Sequence, residues 1–166
     1  LLWRDLCSAL ARLQGQYTNS GQPPAQPENR PAPTQRKLKV LYAEDNATNR
    51  LVFGKMVRNL PLDLTLAENG REAVECFMQS PPDLIFMDIS MPEMDGREAT
   101  CRIRQLPGGA DIPIIALTAH ALREEIDKIM AAGMNATLTK PLRQAVLLEA
   151  LQNHAPPGVL FSAGPE

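Results

Sequence analysis

Five short apolar runs alternate with five stretches of helical period between residues 37 and 153, and this alternation restricts the fold more than any other property of the sequence. The runs KVLYA (39–43), LDLTLA (62–67), DLIFMD (83–88), IPIIALT (112–118) and ATLTK (136–140) read as strands, with helices over 47–60, 69–79, 95–105, 121–132 and 142–153. Several runs are continuously apolar, as expected of strands in a parallel sheet with helices on both faces. Turn residues agree. Asn69-Gly70 and Asp95-Gly96 stand where helices begin, Gly133 stands where the fourth ends, and Pro81-Pro82 blocks the second from continuing. Gly54 breaks the pattern inside the first helix, at a cost of about 1 kcal/mol against Ala, and close packing on the sheet is the expected reason.

What precedes this region differs in kind. Residues 14–36 hold five of the 15 prolines and almost no aliphatic side chain, so they read as a flexible Pro/Gln-rich linker. Residues 1–13, LLWRDLCSALARL, place Leu2, Leu6, Leu10 and Leu13 on one helical face. That helix matches the last one at four positions, which suggests the end of a preceding copy of the domain, although any Leu-rich amphipathic helix would match as well. Residues 154–166 form a C-terminal tail. The net charge of -2 and the absence of Lys/Arg clusters give no field for nucleic acid or an anionic membrane, so protein partners are expected. Cys7, Cys76 and Cys101 are too widely spaced for a disulfide framework or zinc site and read as small buried residues of a reducing compartment. No run is long enough to span a membrane, and a cytoplasmic location is expected.

Four of the five strand candidates end in chemistry: Glu44 and Asp45, Asp88, Thr118, and Lys140 followed by Pro141. In an open α/β sheet such ends share one rim, where ligands bind. Alone, each residue has an ordinary explanation. Acids before a helix favour its dipole, threonine suits a strand, and lysine suits a surface. Together they are harder to dismiss, because three carboxylates on one rim repel unless a cation neutralises them, and an all-oxygen set suits Mg²⁺. The X-Pro bond at Lys140-Pro141 can be cis and turn the lysine back over the rim. A hydroxyl and an ammonium beside the acids fit a transferring phosphoryl group, each taking one oxygen while a carboxylate attacks in line.

YAEDNATNR, LIFMDISMPEMDG, IIALTAHA and TLTKP resemble the receiver (response-regulator, CheY-like) domain family across residues 37–153. The resemblance implies a flavodoxin-like (βα)5 fold with a parallel five-stranded sheet of order 2-1-3-4-5. It also implies that Asp88 is the phosphoacceptor, that Glu44, Asp45, Asp88 and the backbone carbonyl of Ser90 organise Mg²⁺, and that Thr118 and Lys140 contact the phosphoryl group. Met91-Pro92 and Asp95-Gly96 would shape the loop after the acceptor strand. The wording E-D-N-x-x-N and ALTAHA is similar to receivers fused to hybrid sensor histidine kinases, C-terminal in a parent that can be anchored in the inner membrane. The implied partners are a histidine kinase domain and a histidine-phosphotransfer protein. One position departs from the pattern. Many receivers carry an aromatic switch residue three positions before the lysine, where this chain has Thr137. His120 and His154 lack the setting of a phosphodonor and read as a loop residue and a helix-end residue.

Three rivals remain. A receiver-like module that regulates a kinase by docking alone would not need the intact acids, hydroxyl and lysine. An aspartyl phosphatase resembling the haloacid-dehalogenase family wants a second acid where Ser90 stands, and a flavin site wants a Ser/Thr/Gly-rich loop where AEDNATNR stands.

Overall fold

A computed structural model describes residues 36–157 and 159; the helix expected over 1–13, nearly all of the linker and most of the tail lie outside the described residues. Strands and helices alternate as β1 (Leu38–Ala43), α1 (Ala47–Val57), β2 (Leu62–Ala67), α2 (Gly70–Gln79), β3 (Leu84–Asp88), α3 (Gly96–Gln105), β4 (Ile114–Thr118), α4 (Arg123–Ala131), β5 (Ala136–Thr139) and α5 (Gln144–His154). The five strands form one parallel sheet of order β2-β1-β3-β4-β5, as the resemblance implied.

Period-two geometry sends alternate side chains of each strand to opposite faces, and the sheet divides two cores in that way. Leu41, Ile85, Met87 and Ile114 pack with Phe77, Ile103 and Ile129 on the α2, α3 and α4 face. Val40, Phe86, Ile115 and Leu117 pack with Phe53, Val57, Leu147 and Leu151 on the α1 and α5 face. Because β3 and β4 are central and wholly buried, their runs are continuously apolar; β2, at one edge, alternates and is half exposed. Each large core side chain contributes about 1.5–3 kcal/mol by leaving water.

The helix starts expected at Asn69 and Asp95 are capped there, and Asn46 adds a cap that the sequence reading did not name. The Asn46, Asn69 and Asp95 side chains each accept a backbone N–H from the first turn of α1, α2 and α3. Helix α1 stops at Val57 instead of residue 60: the chain then tightens, with the Arg58 and Leu60 N–H groups on the Lys55 and Val57 carbonyls, and Pro61 disfavours helical backbone at the residue before it. The Pro61 carbonyl accepts the Leu38 N–H instead, at 3.3 Å. At the start of the sheet Arg36, the last residue of the expected linker, forms a fork with Asp83 at 2.6 and 2.7 Å. Arg104 of α3 donates to the carbonyls of Gly109, Ile112 and Gly133, tying down the loops that enter β4 and β5. No helix among the described residues is long and apolar enough to cross a membrane.

Two readings need correction. Gly54 is not a close-packing position, because a Cβ there would meet nothing within 4 Å. Cys101 is exposed on α3, its thiol 3.7 Å from the Ala132 carbonyl, and Cys76 is only partly buried. Cys101 stands on the outward face of its helix, which takes polar and small residues alike, whereas Cys76 packs at the margin of the core. We predict that Gly54→Ala stabilises the domain by about 0.5–1 kcal/mol, by removing backbone freedom from the unfolded chain, as read by urea unfolding; an unchanged or lower midpoint contradicts it.

Candidate functional site

The carboxyl ends of β1, β3, β4 and β5 meet on one rim. Strand β1 lies between β2 and β3, so Glu44 and Asp45 come beside Asp88, and carboxylate oxygens of all three lie within 4.8 Å of one another. Glu44 and Asp88 are buried and Asp45 is exposed. From the far edge, Lys140 crosses the rim. Its Nζ donates to Glu44 Oε2 at 2.8 Å and to Asp88 Oδ2 at 2.7 Å, and its peptide bond to Pro141 is cis.

Further donors meet the two buried carboxylates. Glu44 Oε1 accepts from the Asn46 amide and Asn49 Nδ2, and Oε2 also accepts from the Tyr42 hydroxyl at 3.1 Å. Asp88 Oδ1 accepts the Ser90 N–H at 3.1 Å. Among the described residues no buried side-chain polar atom is left without a partner.

These contacts set the charges. Burial disfavours ionised Glu44, but hydrogen bonds from Lys140 and Asn49, helped by the Lys140 charge and the Asn46 amide, hold it below the usual carboxylate value. Burial dominates at Asp88 and pushes it above that value, with the Glu44 charge adding and the Lys140 and Ser90 bonds opposing. At Lys140 burial acts to lower the value, and the two carboxylates together outweigh it and raise it. Burial raises Tyr42, and Glu44 beside its hydroxyl adds to this.

Thr118 ends β4 with only 6% of its surface exposed, but its hydroxyl faces the following loop, donating to the His120 carbonyl at 2.9 Å and accepting the His120 N–H at 3.2 Å. The fold thus brings the four acidic and basic groups into one cluster and leaves the hydroxyl at its border. Gly96 explains how α3 approaches so closely, because a Cβ there would sit 2.1 Å from the Asp88 carbonyl oxygen. Thr137 lies in β5 opposite Ala116, partly buried. His120 is an exposed loop residue and His154 the last of α5, as expected.

Sequence reasoning passed over Tyr42, Asn49 and Arg50. Asn49 and Arg50 are polar residues within the first turns of α1, directly behind the acids, and a search for side chains able to reach back to the loop would have found them. Tyr42, two residues before Glu44, shares its face of β1, and its ring stacks on Phe53 at 4.0 Å. Beside the acids, a cavity of about 400 Å³ opens between α1 and the start of α5, lined by Tyr42, Asn49, Phe53, Lys140 and Pro141 among others.

This geometry agrees with the sequence comparisons. The family model for the response regulator receiver domain matches residues 40–152, and the chain belongs to that family. Over 119 residues it is 38% identical to the signal transduction histidine-protein kinase BarA of Escherichia coli, covering 72% of this chain and 13% of that one. The sensor histidine kinase GacS of Pseudomonas protegens is 35% identical over 132 residues, covering 73% of this chain and 14% of its own. The chain therefore spans only a small part of the curated relatives it matches. Among solved structures, the receiver domain of a Pseudomonas aeruginosa sensor histidine kinase, with a magnesium ion in its active-site cleft, is 39% identical with a TM-score of 0.67, covering 71% of this chain and 97% of that one. The co-crystal structure of the Saccharomyces cerevisiae phosphotransfer protein Ypd1 and the receiver domain of Ssk1 gives 30% identity and a TM-score of 0.70, covering 77% and 95%.

Breaking the Lys140 contacts leaves two buried carboxylates without their ammonium. Lys140 is a quarter exposed, which reduces the cost from that of a fully buried pair. We expect Lys140→Met to lower metal-free stability at pH 7 by about 2 kcal/mol. Urea unfolding in the presence of chelator reads this, and a variant as stable as wild type would contradict it.

Proposed function

We propose that this chain is the phosphoacceptor receiver of a two-component phosphorelay, within the C-terminal part of a hybrid sensor histidine kinase, and that Asp88 is the residue phosphorylated. The carrying observation is the convergence of Glu44, Asp45 and Asp88 oxygens within 4.8 Å, with Lys140 Nζ 2.7 Å from Asp88. The similarity to BarA and GacS supports the parent assignment. The all-oxygen donor set fits Mg²⁺, held by Glu44, Asp45, Asp88 and the Ser90 carbonyl. When bound there, the ion supplies positive charge that offsets the carboxylates and the phosphoryl oxygens.

In the proposed reaction an Asp88 carboxylate oxygen bonds to phosphorus as the bond from phosphorus to a donor histidine nitrogen breaks. The nitrogen leaves with the electron pair and takes a proton from water. The Ser90 amide on Oδ1 and Lys140 on Oδ2 orient the carboxylate before attack. Lys140, only a quarter exposed, meets the incoming phosphoryl oxygens with a fixed charge, and Thr118 offers a hydroxyl to another. The reverse transfer delivers the group to a histidine-phosphotransfer partner. Leu51 and Val52, exposed by 60% and 43% on α1, provide an apolar approach for that partner beside the rim.

Asp88→Asn is expected to abolish acyl-phosphate formation from acetyl phosphate and Mg²⁺, measured by intact-mass spectrometry. Phosphorylation retained by this variant would refute the site. A wild-type chain that is never phosphorylated but still binds a kinase domain would favour the docking module. The same substitution is expected to raise the metal-free thermal midpoint at pH 7. Since burial holds the Asp88 value above its unfolded one, ionised Asp88 opposes folding at pH above that range.

A further inference from the structure

Arg50 lies behind the acidic cluster and points into it from α1. Its Nη1 donates to the main-chain carbonyls of Glu44, at 2.7 Å, and Asp45, at 2.8 Å, while its Nη2 pairs with Glu68 Oε1 at 2.7 Å. The guanidinium is largely buried, its side chain 14% exposed. Glu68 is itself anchored. Its backbone amide donates to Glu72 Oε2 at 2.7 Å, and the Glu72 amide donates to the capping Asn69 side chain at 2.9 Å.

We propose that Arg50 is a positioning residue for the metal-binding acids, and above all for Asp45. The proposal rests on the reading of this rim as an Mg²⁺-dependent phosphoacceptor site. Peptide units are planar, so fixing the carbonyls of residues 44 and 45 fixes the planes on both sides of the Asp45 Cα. Only the side-chain torsions of Asp45 are then free. Glu44 needs this less, because four hydrogen bonds hold its carboxylate directly. Asp45 is exposed, and one guanidinium nitrogen holds both of its peptide units. Arg50 bonds to carbonyl oxygens and leaves both carboxylates free for a cation.

Charge and position pull in opposite directions, which makes the proposal testable by sign. If Arg50 acted only through its charge, removing that charge would strengthen binding of a divalent cation, and Lys would serve as well as Arg. The clamp uses two nitrogens of one planar group, Nη1 on the two carbonyls and Nη2 on Glu68, and a single ammonium does not reproduce that spacing. In the 166-residue chain, Arg50→Lys and Arg50→Met are both expected to weaken Mg²⁺ binding about tenfold by calorimetry, the scale seen when groups that orient metal ligands are removed. Without metal, NMR order at amides 44–47 of Arg50→Lys should fall while the thermal midpoint stays near wild type. Unchanged Mg²⁺ affinity in Arg50→Lys, or tighter binding in Arg50→Met, overturns the proposal, and Arg50→Lys alone decides it should Arg50→Met not fold. A wild-type chain that binds no Mg²⁺ overturns both the site reading and this one, whereas wild-type binding with an unaffected Arg50→Lys overturns only the role of Arg50.

Discussion

A single ammonium holds the rim together. Lys140 bridges Glu44 and Asp88, residues 96 and 52 positions away in the chain, and so links the ends of β1, β3 and β5 across the sheet. Parallel strands carry their reactive ends to one side, and for this sequence that side collects acids. Buried carboxylates this close would not both remain ionised without a compensating charge. The lysine supplies it, and the divergent behaviour of the two acids follows. Glu44, with four donors, is held as an anion, while Asp88, with fewer donors and deep burial, is the more basic carboxylate. Of the two buried acids, Asp88 is thus the one whose charge is less satisfied, which suits the attack proposed for it.

The rest of the molecule keeps that rim rigid while letting partners reach it. Both faces of the sheet are sealed by separate cores, and at the opposite end Arg104 fastens the chain entering β4 and β5. Close approach matters most at Gly96, where α3 begins against the end of β3 at Asp88. On α1, the helix that begins behind the acids, Leu51 and Val52 stand exposed.

Strand ends were legible in the sequence because each reactive residue closes an apolar run, a pattern that survives without knowledge of packing. The sheet order came from family resemblance, since periodicity alone does not say that β1 lies between β2 and β3. Helix ends shifted by a few residues where proline acts on its neighbour, as at Leu60, and where α4 and α5 lack a side-chain cap. Tyr42, Asn49 and Arg50 were missed for another reason. The role of Tyr42 depends on tertiary packing, and those of Asn49 and Arg50 on bonds back to the loop before α1, at which only their spacing from the acids hints. Gly54 and Cys101 show the converse error, in which a residue type suggested packing that the outward face of a helix does not supply.

Thr118 has a single proton to give, and the structure shows where it now goes: to the carbonyl of His120. If that hydrogen bond is redirected to a phosphoryl oxygen at Asp88, the carbonyl loses its donor, and Thr118 holds the β4–α4 loop only through the His120 N–H that its oxygen accepts. One hydroxyl proton cannot serve both acceptors, so a phosphoryl group at the site and the His120 carbonyl would compete for it. On the proposed reading of the rim, and with threonine at position 137 in place of an aromatic side chain, this competition would couple the site to the β4–α4 loop.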